Sequence, residues 1–207
     1  MNNQKSKKAL AFTFDDGPTE TTTRILDVLE KNNLRASFAV QGNRIEENKD
    51  ILLRAFNMNC DIINHSFDHA NLTEISKEEA RRQLIDTNLI IKKITGIAPR
   101  LFRSPYLALN DDIYALTKEL NFSIINFSIY TEDWRVHDSN EIFNCIIKNA
   151  FDGGIVLMHD VHLATAEAVE RAIPVLIQNE YELLTISQLS ERANIELEAG
   201  RVYNSII

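Results

Sequence analysis

Apolar residues recur along this chain in two alternating rhythms. Short runs dense in β-branched and aromatic side chains fall at 9–14, 35–40, 61–63, 101–103, 122–127, 155–158 and 182–185. Between them, apolar positions return with helical spacing at 21–31, 44–57, 77–94, 111–119, 141–149 and 164–178. Strands separated by helix-length crossovers are the signature of a parallel-sheet α/β fold, because parallel neighbours cannot be joined by a hairpin. Seven such strands suggest a barrel. Local chemistry supports the helix ends. Ser76 followed by Glu79 fits a capping box, Gly96 suits a left-handed C-terminal cap, and Asn110 is placed to cap the helix after it. Pro174 falls inside the sixth helical pattern and predicts a kink or a fresh start there. No linker, repeat or low-complexity tract interrupts the pattern, so 1–8 reads as a polar tail and 9–207 as one domain.

Composition narrows the class. With 207 residues, 44% hydrophobic and 25% charged, the chain can bury a substantial core. A balance of 22 Lys+Arg against 30 Asp+Glu leaves a net charge of -8, which argues against a nucleic-acid partner. No run approaches the ~18 apolar residues that a membrane span requires. The start, 1–8, is polar and basic without an apolar segment before the first strand, so the reading is no cleavable signal peptide and a cytoplasmic protein; a trimmed leader would make it extracellular or cell-wall associated. Cys60 and Cys145 lie in apolar stretches and read as buried free thiols.

Five polar clusters follow the apolar strands. In Thr13-Phe14-Asp15-Asp16-Gly17-Pro18, two adjacent carboxylates call for a cation or an arginine nearby, although Asp-Gly-Pro is also ordinary turn chemistry. His65 and His69 have the spacing that puts two imidazoles on one face of a helical turn. With one aspartate they make a ligand set that leaves positions open for water and substrate, which implies catalysis. Arg103-Ser104-Pro105-Tyr106 and Asp133-Trp134 bring a permanent cation, a carboxylate and aromatic surface; a surface ion pair and a core-filling tryptophan are the plainer alternatives. His159 leaves the end of the apolar run 155–158, where a satisfied core histidine is also reasonable. All five clusters fall at strand exits, the face on which barrel enzymes assemble their sites.

In these motifs the chain resembles the polysaccharide deacetylases, the NodB-like enzymes of carbohydrate esterase family four. The family's ordered motifs match from Thr13 to His159, and a Gly-x-x-Tyr ending at Tyr203 extends the likeness over nearly the whole chain. The resemblance implies a distorted (β/α) barrel with about seven strands. It also implies that Asp16, His65 and His69 bind a divalent metal, typically zinc, with cobalt, nickel or iron also compatible with such a set. It makes Asp15 the general base, oriented by Arg103, and His159 the general acid, oriented by Asp133. The backbone N–H of Tyr106 would help hold the oxyanion, and Pro105, Tyr106, Trp134 and Leu157 would shape an acetyl pocket. The chain departs from the pattern at Leu107, where glycine is usual, and at Tyr130, where aspartate is frequent, which affects rim shape and substrate choice. His137 and His162 read as surface residues.

The expected activity is metal-dependent removal of N-acetyl groups from an N-acetylglucosamine-containing polymer, peptidoglycan or a chitooligosaccharide, in a shallow open groove. Amide hydrolysis needs an activated water, a stabilised oxyanion and a proton for the amine, and these residues can supply all three. A deacylase or deformylase of a lipid- or nucleotide-linked amino sugar is the alternative within enzymes. A sugar-binding module without catalysis is the third reading, disfavoured because no ligand or proton-transfer residue is missing.

Overall fold

A computed structural model describes residues 7–207 of the chain. Most of the expected polar tail, 1–6, lies outside the described residues, and its last residue already belongs to the first strand. Nine strands form one sheet: β1 (Lys8–Gly17), β2 (Ser37–Val40), β3 (Asp61–Asn64), β4 (Leu101–Phe102), β5 (Ser123–Ile125), β6 (Ile129–Tyr130), β7 (Gly154–His159), β8 (Tyr181–Leu184) and β9 (Val202–Tyr203). The order runs β6-β7-β1-β2-β3-β4-β5-β9, with β8 joining the first half of β1. Every pairing is parallel. Among the described residues β6 and β9, the two ends of that path, are not bonded to one another, so the sheet curls into an open barrel. All seven expected strands are present; β6 and β9, two residues each, were too short to leave a periodic signal.

The strand period of two sorts the core. Leu10, Phe12 and Phe14 of β1 pack outward with α1 (Glu20–Lys31), α3 (Lys49–Asn57), α7 (Ser139–Asn149) and α8 (Leu163–Gln178). Ala9, Ala11, Thr13 and Asp15 alternate onto the inner face, where Ala39, Ile63, Ile125 and Ile155 join a second cluster closed by α9 (Ile186–Ala193) and Tyr203. Small residues on the inner side leave room for the curl and for polar groups at the strand ends.

The remaining helices are α2 (Gly42–Ile45), α4 (Lys77–Thr95), α5 (Asp111–Glu119) and α6 (Asp133–Val136), with a single 3₁₀ turn at Pro105–Leu107. The helix expected over 44–57 is broken into α2 and α3, because the Asn48 side chain donates to the Arg44 carbonyl at 2.9 Å and closes the first segment. Helix α8 runs without interruption through Pro174, against expectation; Pro174 is exposed while Ala172, Ile173 and Leu176 are buried. The box at the start of α4 is half formed. Ser76 accepts from the Glu79 amide, but the Glu79 carboxylate is held by Arg82. Gly96 takes the left-handed cap (φ 82°) and Asn110 caps α5 by accepting from Ile113 N–H at 3.0 Å. Both cysteines are free, yet only Cys60 is buried; Cys145 is partly exposed on α7. No helix among the described residues is long and apolar enough to cross a membrane.

Candidate active site

At the C-terminal end of β1 the chain solves a directional problem. Consecutive strand residues point to opposite faces, yet Asp15 and Asp16 reach the same cleft. The pairing with β2 shifts register between Asp15 and Gly17, and Asp16 takes a left-handed backbone (φ 77°). This bulge re-aims the second carboxylate. The close fit that follows admits only glycine next: a Cβ on Gly17 would fall 2.2 Å from Oδ2 of buried Asp160.

Asp15 is 4% exposed and faces Arg103, whose Nη1 donates to Asp15 Oδ1 at 2.7 Å and to Thr13 Oγ1 at 2.8 Å. Arg103 is wholly buried; its remaining donors meet the carbonyls of Ile125 at 3.0 Å and Asn126 at 2.9 Å. The surface-ion-pair alternative for Arg103 is therefore excluded. A guanidinium with all three nitrogens hydrogen-bonded is a fixed charge beside Asp15.

His65 and His69 follow β3 in a loop, and the expected helical turn is absent. Ser66 (φ 61°) and His69 (φ 63°) both adopt left-handed backbones, and the loop folds back on itself. Asn64 Oδ1 accepts from Ser66 N–H at 2.9 Å, Ser66 Oγ accepts from His69 N–H at 3.2 Å, and Gln83 Oε1 of α4 accepts from Phe67 and Asp68 N–H at 2.8 and 3.1 Å. His65 Nδ1 lies 2.8 Å from the Arg103 carbonyl, which fixes the proton there and turns Nε2 toward Asp16 Oδ1 at 3.5 Å. His69 Nε2 is 3.4 Å from the same oxygen. One donor atom from each of Asp16, His65 and His69 lies within 4.8 Å of the others. Two imidazole nitrogens and one carboxylate oxygen converging in this way fit a divalent cation that keeps open positions.

The charges agree with that geometry. Burial alone would raise the pKa of Asp16, but the hydrogen bond and charge of His65, with His69 and His159 beyond, hold it well below the usual carboxylate range. Burial lowers the pKa of His65, an effect outweighed by Asp15 and Asp16, which raise it. His69 is lowered, by burial and then by the neighbouring His65.

On the other side, β7 delivers His159. Its Nδ1–H donates to Asp133 Oδ1 at 2.7 Å, leaving Nε2 for the cleft. Although burial works against the charged ring, the Asp133 carboxylate pushes its pKa up to about 9, so the ring is an imidazolium at neutral pH. Asp133 is itself lowered, by His159 against the opposing effect of burial.

These groups line one cleft of about 430 Å³ with Ser104, Tyr106, Leu107, Tyr130, Trp134 and Leu157. Arg103 and Asp133 stand behind it, and Pro105 is buried and does not line it. Tyr106, in a left-handed turn (φ 56°), is 67% exposed and packs edge-on against His69. Trp134 is 47% exposed, so it does not fill core. His137 is exposed and His162 half-buried; neither lines the cleft, although their rings touch and His162 lies 6.1 Å from the His159 ring. Tyr130, Leu107 and Ser104 enter the lining without having been singled out from sequence as site residues. The first two sit where the chain departs from the family pattern, which was the available signal.

Residues 2–125 match the family model described as polysaccharide deacetylase. The chain is 36% identical over 187 residues to a peptidoglycan-N-acetylmuramic acid deacetylase, PdaC, of Bacillus subtilis, covering 90% of this chain and 39% of that protein. It is 34% identical over 200 residues to a peptidoglycan-N-acetylglucosamine deacetylase, PgdA, of Listeria monocytogenes, covering 96% and 42%. The chain thus spans about 40% of the length of these curated relatives. Among solved structures, a family 4 acetyl xylan esterase from Clostridium thermocellum, in complex with a cobalt ion, superposes with a TM-score of 0.90 at 31% identity, covering 96% of this chain and 99% of that one.

Proposed function

The chain belongs to the polysaccharide deacetylase family, and from that membership we propose that it hydrolyses the N-acetyl amide of an amino sugar in peptidoglycan, with chitooligosaccharides as a second polymer class. The observation that carries the reading is the meeting of two oriented proton-transfer groups, Asp15 and His159, with a three-donor cation set in one cleft. The relatives' names supply the polymer. Polymeric peptidoglycan as substrate places the work at the cell wall.

Asp16, His65 and His69 would hold the cation, zinc foremost, with cobalt, nickel and iron as other occupants. When bound, such an ion supplies Lewis acidity to the acetyl carbonyl and lowers the pKa of water. Asp15, with one oxygen fixed by Arg103, accepts the proton of the attacking water through the other. The Tyr106 backbone N–H donates toward the developing oxyanion, while Trp134 and Leu157 enclose the methyl group. His159 then gives its Nε2 proton to the departing nitrogen, converting a very poor leaving group into a neutral amine as the C–N bond breaks.

Acetate release from peptidoglycan fragments and chitooligosaccharides tests this, using protein stripped of metal and then restored with zinc or cobalt. Release should depend on added metal, and Asp15→Asn should abolish it while the bound metal, counted by elemental analysis, stays at the wild-type level. Acetate release retained by Asp15→Asn removes the base role. Hydrolysis confined to lipid- or nucleotide-linked amino sugars overturns the polymer assignment.

A further inference from the structure

Tyr130 lines the cleft at the end of β6, beside Leu157 of β7, and its hydroxyl has a direction that the chemistry of its neighbour fixes. Trp134 Nε1 lies 2.6 Å from Tyr130 Oη. An indole N–H only donates, so the phenol oxygen must be the acceptor. The phenol keeps its own proton, and among the described residues nothing accepts it. The ring is held from behind, tilted against Phe127 with centroids 5.0 Å apart, and the residue remains 41% exposed. A residue that lines the cleft, with its oxygen held by Trp134, therefore keeps an O–H free to donate.

The side of the cleft matters. Tyr130 pairs with the strand that ends in His159, two residues beyond its partner Leu157. On the reading proposed above, Leu157 and Trp134 of this wall enclose the acetyl methyl group and His159 protonates the nitrogen that stays with the sugar. Tyr130, an exposed member of the same wall, therefore stands beside the acetamido group and the sugar that carries it, while Tyr106 packs against His69 on the metal side. We infer that Tyr130 is a substrate-binding, specificity-determining residue that donates a hydrogen bond to an oxygen substituent of the sugar bearing the acetamido group, with Trp134 locking the donor's direction. The substrate class it selects is an amino sugar with a hydroxyl or ether oxygen close to the acetylated nitrogen. Simple acetamides are the class it disfavours. The inference rests on the proposed deacetylase reading for its orientation.

Tyr130→Phe keeps the ring and its packing on Phe127, and removes both the free donor and the acceptor of Trp134 Nε1. In the zinc-loaded protein, KM for chitotetraose and for disaccharide fragments of peptidoglycan should rise about fivefold, the value of one neutral hydrogen bond, with kcat changing less than twofold. Trp134 is the only tryptophan in the chain, so its emission reports binding without turnover. In an Asp15→Asn background, titration of the same sugars should show affinity about fivefold weaker when Tyr130→Phe is added. Equal affinities and KM values within twofold, a loss confined to kcat, or no binding of either sugar would each overturn the assignment. Absent acetate release together with a fivefold affinity difference would remove the deacetylase reading and leave the sugar contact standing. Acetate release with an unchanged KM would do the reverse.

Discussion

Four donors converge on the carboxylate of Asp133: the backbone N–H groups of His159 and Trp134, the Thr165 hydroxyl, and the His159 ring. Its charge is thereby fixed, and it keeps His159 protonated to about pH 9. On the proposed role of His159 as general acid the ring must carry its proton, so the alkaline limb of the kcat profile belongs near pH 9. Asp133→Asn removes the charge and leaves burial of the ring opposed by the carboxylates of Asp15 and Asp16. The limb should then fall to about the ordinary imidazole value of ~6.5, with activity at pH 8 reduced roughly 30-fold. A limb left near pH 9 would assign it to another group. The sign for stability follows: because the folded pKa of His159 is raised, the contribution of its charge is complete below about pH 6.5 and disappears as pH rises through about 9, while that of the lowered Asp133 is lost only in the acid range. The identities of these residues were legible in sequence through the family resemblance, which pairs Asp133 with His159 and Arg103 with Asp15, and the signs of their charges agree with that pairing. What the sequence left open, whether Arg103 is a surface cation and Trp134 core filler, burial decided.

Elements place these groups through their ends. Strand exits were readable because β-branched and aromatic runs stop where polar motifs begin. The backbone devices were not: the bulge at Asp16 and the left-handed residues Ser66, His69 and Tyr106 depend on contacts with Asp160, Gln83 and His69 that are distant in sequence. The spacing of His65 and His69 suggested a helical turn, whereas a loop clamped by α4 brings them together. Helix α8 shows the converse, tertiary packing overriding a local signal. Its buried face, Ala172, Ile173 and Leu176, anchors the helix on both sides of Pro174, and the exposed side lets water satisfy the carbonyl that lacks a partner. That local penalty remains in the folded state. Pro174→Ala should raise stability by about 1–2 kcal/mol, the recovered helix geometry being offset in part by a freer unfolded chain. The midpoint of urea denaturation, at constant slope, measures it; an unchanged or lower midpoint would mean that proline carries no net penalty at this position.

For the molecule as a whole, a cation held as proposed by Asp16, His65 and His69 would tie β1 to the loop after β3, and its binding would be linked to folding. A cation held only by the native site at 100 times its Kd adds about 2.7 kcal/mol. In a chain of this size that corresponds to roughly 5–10 °C in Tm. Chelation should lower Tm by this amount, and His69→Ala should abolish the difference between loaded and stripped protein; a gap that persists in the variant places the metal elsewhere. The alternation of strands and helices, the ordered motifs and the charge types carried by Asp15, Arg103, Asp133 and His159 were determined by sequence alone, because periodicity and residue chemistry are local properties. Tertiary structure decided the open edge between β6 and β9, the convergence of Asp16, His65 and His69 on one point, and the free hydroxyl of Tyr130. Each of these depends on distances between segments far apart in the chain, and such distances are set only when the sheet curls and its cores pack.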